Sequence, residues 1–273
     1  MSGFGLGPAL LFCPADRPDR YEKALYPADA VILDLEDAVA DAAKAAARAA
    51  LAEHPLDPDR VIVRVNGAQT REVAADLDAL AGTGYRTIML PKASGVADVE
   101  AVVAGRGLEV IALCESAAGV LAAPALAAHP AVVALMWGAE DLVASLGGTS
   151  SRHADGRYRD VAVHARSAVL LAAGAAGIAA IDTVHTDIDD ASGLAAEAED
   201  AAAVGFTATA CIHPSQVETI RAAYRPSAER IRWARAVLER AADAPGVFRF
   251  EGVMIDEPLL AHARSVLIRQ QRR

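Results

Sequence analysis

The residues able to do chemistry sit in a repeated place. Apolar runs end at their C-terminal edges in Asp34, Glu36 and Asp37, in Arg64 and Asn66, in Lys92, in Glu115, in Glu140 and Asp141, and in His213. Helix caps account for part of this, because a strand-to-helix turn favours Asp, Ser or Asn. Caps do not account for Arg64, Lys92 or Glu115, which lie within or directly beside apolar residues. Glu115 and Asp141 close consecutive runs. Two carboxylates held together repel unless a cation or a shared proton compensates them. Two oxygen ligands with positions left for water and substrate suit Mg²⁺, and the lack of a His/Cys cluster disfavours zinc. The competing reading is a cap plus a surface acid. Arg64, between Val63 and Val65, is costly to bury unless it meets an anion. That anion is a substrate carboxylate, a developing enolate, or a buried partner such as Glu36 or Asp37. His213, followed by Pro214, Ser215 and Gln216, reads as orienting the next helix with Ser215 as its N-cap. His185 and Asp187 read as similar supporting residues, and none of the three is assigned as a base.

These residues need a frame that brings the ends of many runs together. Eight short runs rich in apolar residues appear: ALLFCPA (9–15), AVILDLED (30–37), VIVRVN (61–66), TIMLPK (87–92), VIALCES (110–116), VVALMWGAED (132–141), IAAIDTV (178–184) and ATACIHP (208–214). Runs without polar alternation fit parallel strands buried on both faces. Between them lie Ala/Glu/Arg-rich segments of helical composition, among them 39–53, 71–80, 96–104, 160–173 and 194–204. Strand–helix alternation of this kind predicts a parallel sheet, and eight units predict an α/β fold, a (β/α)₈ TIM barrel. Polar strand ends then share one rim, where barrel active sites are built. A doubly wound open sheet is the alternative, but no Gly-x-Gly-x-x-Gly or P-loop sequence follows a strand. The stretch LGGTSSRHADGRYRD (146–160) reads as an active-site loop. Helices are expected at 227–242 and 259–270 in a tail larger than a barrel requires. The predicted division is a 1–225 barrel domain and a 226–273 extension, a helical lid that packs on the barrel mouth or on a neighbouring protomer.

Composition narrows the partners. At 273 residues the chain can bury a substantial core in one large domain. Its net charge of −10 argues against nucleic acid, which needs a basic face. A local basic cluster, DRPDRYEK (16–23), leaves room for a phosphorylated small molecule. No apolar stretch reaches the ~18 residues of a membrane span, and the segment MSGFGLGPALLFCPADR lacks the n- and h-regions of a signal peptide. A cytoplasmic protein without a membrane partner is expected. Cys13, Cys114 and Cys211, each within an apolar run, are expected to be buried reduced thiols rather than zinc ligands.

Taken in order, LLFCPADRPDRYEKAL, VILDLEDAV, VIVRVN, IMLPKA, VIALCESAAGV, MWGAEDL, IDTVHTDIDD, CIHPSQ and FEGVMIDEPLL resemble the successive blocks of the citrate lyase β-subunit-like branch of the aldolase/citrate lyase superfamily. Malyl-CoA and citramalyl-CoA lyases belong to that branch. The resemblance spans nearly the whole chain. It implies Mg²⁺ (with Mn²⁺ as a substitute) held by Glu115 and Asp141, and CoA as part of the substrate. It further implies that Arg64, Glu36, Asp37, Glu115, Lys92, Gly138 and Ala139 face the substrate, Arg64 beside the metal in a catalytic role. Arg17, Arg20 and Lys23 would lie towards the CoA phosphates. Asp256, in MID-x-P, would be the catalytic acid/base, reaching the site of a neighbouring protomer in a homo-oligomer, expected to be a trimer. Two places depart from the pattern and bear on CoA contacts or acyl preference: FCPAD, where relatives carry a glycine, and the loop 150–159.

The implied reaction is Mg²⁺-dependent carbon–carbon cleavage, or Claisen-type formation, of a short 3-hydroxyacyl-CoA, with acetyl-CoA and a keto acid as products. Citramalyl-, malyl-, citryl- and 3-hydroxy-3-methylglutaryl-CoA all qualify, since they differ by a methyl or a carboxylate in one pocket. Two alternatives stand beside it. One is a metal-dependent pyruvate aldolase acting on free acids; the other is a citrate lyase subunit active only within a complex.

Overall fold

The computed structural model describes residues 4–243 and 246–271. Eight parallel strands close into a barrel in sequential order: β1 (Ala9–Pro14), β2 (Ala30–Asp34), β3 (Val61–Arg64), β4 (Thr87–Leu90), β5 (Glu109–Cys114), β6 (Val132–Trp137), β7 (Ala179–Asp182) and β8 (Ala208–Cys211). Closure is direct, with Ala9 of β1 opposite Thr209 of β8. The predicted fold class is the observed one. Each apolar run contains one strand, and every strand stops short of the last residue of its run. The largest correction falls on 132–141. There β6 ends at Trp137, Gly138 caps the next helix, and Glu140 and Asp141 occupy that helix's first turn. Ala139 and Leu142 are buried on the helix, so strand and helix merge into one apolar run in the sequence.

The outer helices are α1 (Tyr21–Leu25), α2 (Lys44–Glu53), α3 (Val73–Ala81), α4 (Val96–Val103), α5 (Ala117–Ala127), α6 (Ala139–Ser145), α7 (Asp160–Ala176), α8 (Ala191–Val204) and α9 (Gln216–Tyr224). Side chains from the strands fill the barrel interior: Leu10, Ile32, Ile62, Met89, Ile111, Met136, Ile181 and Ala210 form one buried cluster, with Phe4 packed into it. Burying a side chain of this size contributes about 1.5–3 kcal/mol, so the barrel is a packed core and not a pore. Only the rim remains for polar residues. Cys13, Cys114 and Cys211 are buried and unpaired, and burial pushes their thiols up to about 11, 12 and 12 respectively.

By compactness the chain divides between Ile220 and Arg221. The second unit holds α10 (Ala228–Asp243), an antiparallel hairpin of β9 (Phe248–Phe250) and β10 (Val253–Ile255), and α11 (Glu257–Gln271). It has its own core, in which Ala234, Val237, Ile255, Leu260 and Ala263 are buried and Trp233 and Phe248 pack against them. Ser227 starts α10 as expected, its hydroxyl accepting from the Arg230 N–H at 3.2 Å. Among the described residues no helix is long and apolar enough to cross a membrane.

Candidate active site

The parallel register builds the first half of the site. Asp34 of β2 stands opposite Arg64 of β3, so the last residues of two neighbouring strands meet side by side. Arg64 donates to Asp34 through Nε at 2.8 Å and Nη2 at 2.6 Å. This is the forked geometry that favours arginine over lysine. Its ring-face neighbour is Phe12, 4.9 Å from the guanidinium carbon. Burial alone would lower the Arg64 pKa, but Asp34 and Glu36 hold it above its usual range. It stays charged. The partner expected from the sequence was Glu36 or Asp37. Glu36 is indeed an ion-pair partner, with Nη1 3.0 Å from its Oε2, yet at an angle that leaves Oε2 buried without a hydrogen bond. Asp37 is not a partner of Arg64; it is exposed and pairs at 3.4 Å with Lys92. Of the five guanidinium N–H groups, Asp34 takes two, which leaves donors for an incoming anion.

The second half is built around Glu115, the residue just past β5. It is 4% exposed. Lys92, in the left-handed region at φ 52°, turns its backbone N–H to Glu115 Oε1 at 2.9 Å, while its ammonium reaches Glu36 Oε1 at 2.5 Å. Gly138 packs against the other side. A Cβ there would lie 2.9 Å from Glu115 Cβ and 3.0 Å from its Oε2, so only glycine lets α6 start this close. Burial, then the charges of Asp141 and Glu36, push the Glu115 carboxyl up to about 8. Glu36 is also raised, chiefly by burial and against the opposing pull of Arg64 and Lys92.

A cavity of about 220 Å³ opens between these halves, room for a short acyl group rather than a drug-sized ligand. Asp34, Arg64, Glu115, Glu140, Asp141 and Thr183 supply its polar side chains, and Phe12, Ala38, Gly138, Ala139, Val184 and Ile212 the rest. Of the substrate-facing residues expected from the sequence, Arg64, Glu115, Gly138 and Ala139 line it. Glu36, Asp37 and Lys92 are not among the lining residues: Glu36 pairs with Arg64 and Lys92, the Lys92 N–H holds Glu115, and among the described residues Asp37 pairs only with Lys92. Asp34 and Glu140 were expected only as polar ends on the rim, and Phe12, Ala38, Thr183, Val184 and Ile212 were not foreseen as part of the site.

The remaining sequence candidates are placed as follows. Arg17, Arg20 and Lys23 are exposed on the segment after β1, and Arg17 pairs with Asp19 at 3.0 Å. His213 accepts from the Ser215 N–H and meets its hydroxyl at 2.7 Å. Gln216 accepts from the Ile212 and His213 N–H groups. Ser215 stands immediately before α9, and His213 meets it through both its N–H and its hydroxyl. His185 pairs with Glu197 at 2.9 Å; Asp187 accepts from the Asp189 N–H in a turn. Asp256, in the second unit, accepts from the Leu259 N–H at 3.3 Å at the start of α11, a capping position.

Glu115 and Asp141 are the side chains suited to a divalent cation. Among the described residues no three His, Cys, Asp or Glu side chains converge as a metal cage. Two carboxylates are nevertheless what Mg²⁺ uses when it keeps water and substrate oxygens as further ligands. A carboxyl raised by burial and by a second acid is the electrostatic mark of a place that lacks a counter-charge, so the residues fit such an ion.

A closed parallel barrel with a forked guanidinium, paired acids and a small cavity on its C-terminal rim has the layout of a barrel enzyme's active site. The chain belongs to the HpcH/HpaI aldolase/citrate lyase family, whose model matches residues 9–214. A citrate lyase subunit beta-like protein of Mycobacterium tuberculosis is 57% identical over 263 residues, covering 96% of this chain and 95% of that protein. A (3S)-malyl-CoA thioesterase of Cereibacter sphaeroides is 36% identical over 276 residues, covering 96% and 94%. The crystal structure of protein CitE from Mycobacterium tuberculosis with magnesium, acetoacetate and coenzyme A superposes with a TM-score of 0.92. It is 56% identical and covers 97% of this chain and 98% of that one.

Proposed function

We propose that this chain is a Mg²⁺-dependent lyase that cleaves, or in reverse forms, a short 3-hydroxyacyl-CoA thioester to give acetyl-CoA and a keto acid. The observation that carries the reading is Glu115 at the edge of a cavity sized for an acyl chain, its carboxyl raised first by burial and then by the charge of Asp141. Supporting it is the similar CitE structure, described as a complex with magnesium, acetoacetate and coenzyme A.

Glu115 and Asp141 would hold the cation, which when bound lowers the pKa of the substrate 3-hydroxyl and polarises it. The N–H groups of Arg64 left over from Asp34 would bind the acyl carboxylate or carbonyl and offset charge that develops on oxygen. Asp34 and Glu36 keep that guanidinium pointed into the cavity, so no reorientation is needed during the reaction. The Phe12, Val184 and Ile212 side excludes water from the acyl chain. Loss of the 3-hydroxyl proton to solvent and cleavage of the bond between C2 and C3 would leave the keto acid and the acetyl-CoA enolate, whose carbon would take its proton from Asp256 of a neighbouring protomer in a homotrimer; in the reverse direction Asp256 would remove it. The second unit would act as a lid in that assembly, with Arg17, Arg20 and Lys23 meeting the CoA phosphates.

The test is a panel of citramalyl-, malyl-, citryl- and 3-hydroxy-3-methylglutaryl-CoA given to the purified chain with Mg²⁺, scored for acetyl-CoA and keto co-product. Release from one of these esters, abolished by a chelator and restored by Mg²⁺, is expected. Turnover only of free hydroxy-keto acids would make the chain an aldolase. Activity only with added partner subunits would make it part of a complex.

A further inference from the structure

Glu115, Glu140 and Asp141 all line one cavity, yet no three acids converge among the described residues. Glu140 is the one whose carboxylate is tied to the loop that follows α6. It and Asp141 are consecutive in the first turn of α6, and its Oε1 accepts from the hydroxyl of Ser151 at 2.5 Å. Glu140 itself is exposed, so nothing in its own packing fixes it. Ser151 is 1% exposed and sits on a braced loop. Its carbonyl accepts from the Arg159 N–H at 2.8 Å, and the His153 N–H donates to the Arg157 carbonyl at 2.8 Å. The Arg152 guanidinium stacks on Tyr158 at 3.8 Å, and Tyr158 meets Trp137 edge-on at 5.3 Å, at the end of β6. Arg152 also pairs with Glu197. The donor is therefore held while the acceptor is a flexible side chain.

We propose that Ser151 is a positioning residue that keeps Glu140 out of the cation's ligand set, so that the site offers two carboxylates and not three. The inference rests on Glu115 and Asp141 being the metal pair. Its consequence is selectivity. Mg²⁺ demands a small octahedral shell with few protein carboxylates, whereas Ca²⁺ accepts more oxygens, irregularly placed, and gains from each added carboxylate. Releasing Glu140 supplies the extra carboxylate and favours the larger ion.

Calorimetric titration of Mg²⁺ and Ca²⁺ into the full chain tests this, using wild type, Ser151→Ala, Glu140→Gln and the double variant, with melting temperatures taken in parallel. Ser151→Ala is expected to move the ratio of Ca²⁺ to Mg²⁺ affinity towards Ca²⁺ by about tenfold. Glu140→Gln should keep the wild-type ratio within about twofold, and the double variant should follow Glu140→Gln, because the effect of the serine acts through the glutamate. A loop staple with no bearing on the ion would lower the melting temperature of Ser151→Ala and leave the ratio unchanged, which overturns the proposal. Glu115→Gln and Asp141→Asn separate the two levels of inference. If wild type binds neither ion, or binds them equally well in those variants, the metal pair itself is wrong and the role of Ser151 falls with it.

Discussion

Gly138→Ala perturbs the site through a single new methyl group. The backbone there is extended, φ −127° and ψ 124°, a conformation alanine adopts freely, so any effect must come from what the methyl meets. It meets Glu115 Cβ at 2.9 Å and Oε2 at 3.0 Å, where carbon–carbon contacts are normally about 3.5–4.0 Å. Glu115 must retreat by roughly half an ångström to one ångström, or α6 must lift by as much. The carboxylate cannot simply swing, because its Oε1 is tied to the Lys92 N–H at 2.9 Å. Overpacking of this kind costs about 1–3 kcal/mol, a fall of roughly 2–10 °C in Tm for a barrel of this size. Function should suffer more, since a displacement of about 1 Å at a reacting centre lowers turnover by about 10²-fold. The assay pairs kcat/KM on the preferred CoA ester with Mg²⁺ titration and thermal melts. Gly174→Ala is the control: it lies in α7 with nothing within 4 Å of a new Cβ, and alanine there should be neutral or stabilising by up to about 1 kcal/mol. A Gly138→Ala protein with wild-type Mg²⁺ affinity and turnover would refute the packing argument.

Arg64→Met leaves Asp34, 1% exposed, without its forked cation and should cost about 3–5 kcal/mol; Arg64→Lys should cost less in Tm while still losing most kcat/KM, and equal melts for the two would contradict the role of the fork. Asp256→Asn keeps the capping side chain of α11, since Asn and Asp cap about equally. Its melt should match wild type while kcat falls by about 10²–10⁴-fold, and an active variant would remove Asp256 from the mechanism. The Glu115 carboxyl titrates near 8 when folded, against 4.5 in the open chain. The folded state therefore binds the extra proton between those values, and metal-free stability should fall as pH rises from about 4.5 to 8, by on the order of 5 kcal/mol if the whole displacement is expressed. Below 4.5 both states carry the proton and the dependence vanishes. Glu115→Gln should flatten this slope in chemical denaturation at several pH values, and an unchanged slope would place its cause elsewhere.

The barrel was legible because parallel strands buried on both faces leave uninterrupted apolar runs such as VIVRV and VIALC, ended by charge where they reach the rim. What stayed hidden depends on register and on distant contacts. The pairing of Arg64 with Asp34 follows from β2 and β3 aligning those two residues, and one position of slip would have offered Leu35 instead. The Ser151–Glu140 bond joins a loop to a helix start across a separation no local pattern reports. Trp137 ends its strand without a visible stop because Ala139 and Leu142 continue the apolar run on the buried face of α6. Glu36 and Lys92 looked like substrate contacts by position alone. Burial and hydrogen bonding show them bracing Arg64 and Glu115.

The central claim is that Glu115 and Asp141 grip one divalent ion at the mouth of the acyl cavity. Crystals soaked in Mn²⁺ and measured at its absorption edge address it directly. One anomalous peak within bonding distance of an oxygen from each carboxylate, lost in Glu115→Gln crystals, is the predicted result. An empty site between diverging carboxylates, or a peak on other residues, would contradict it.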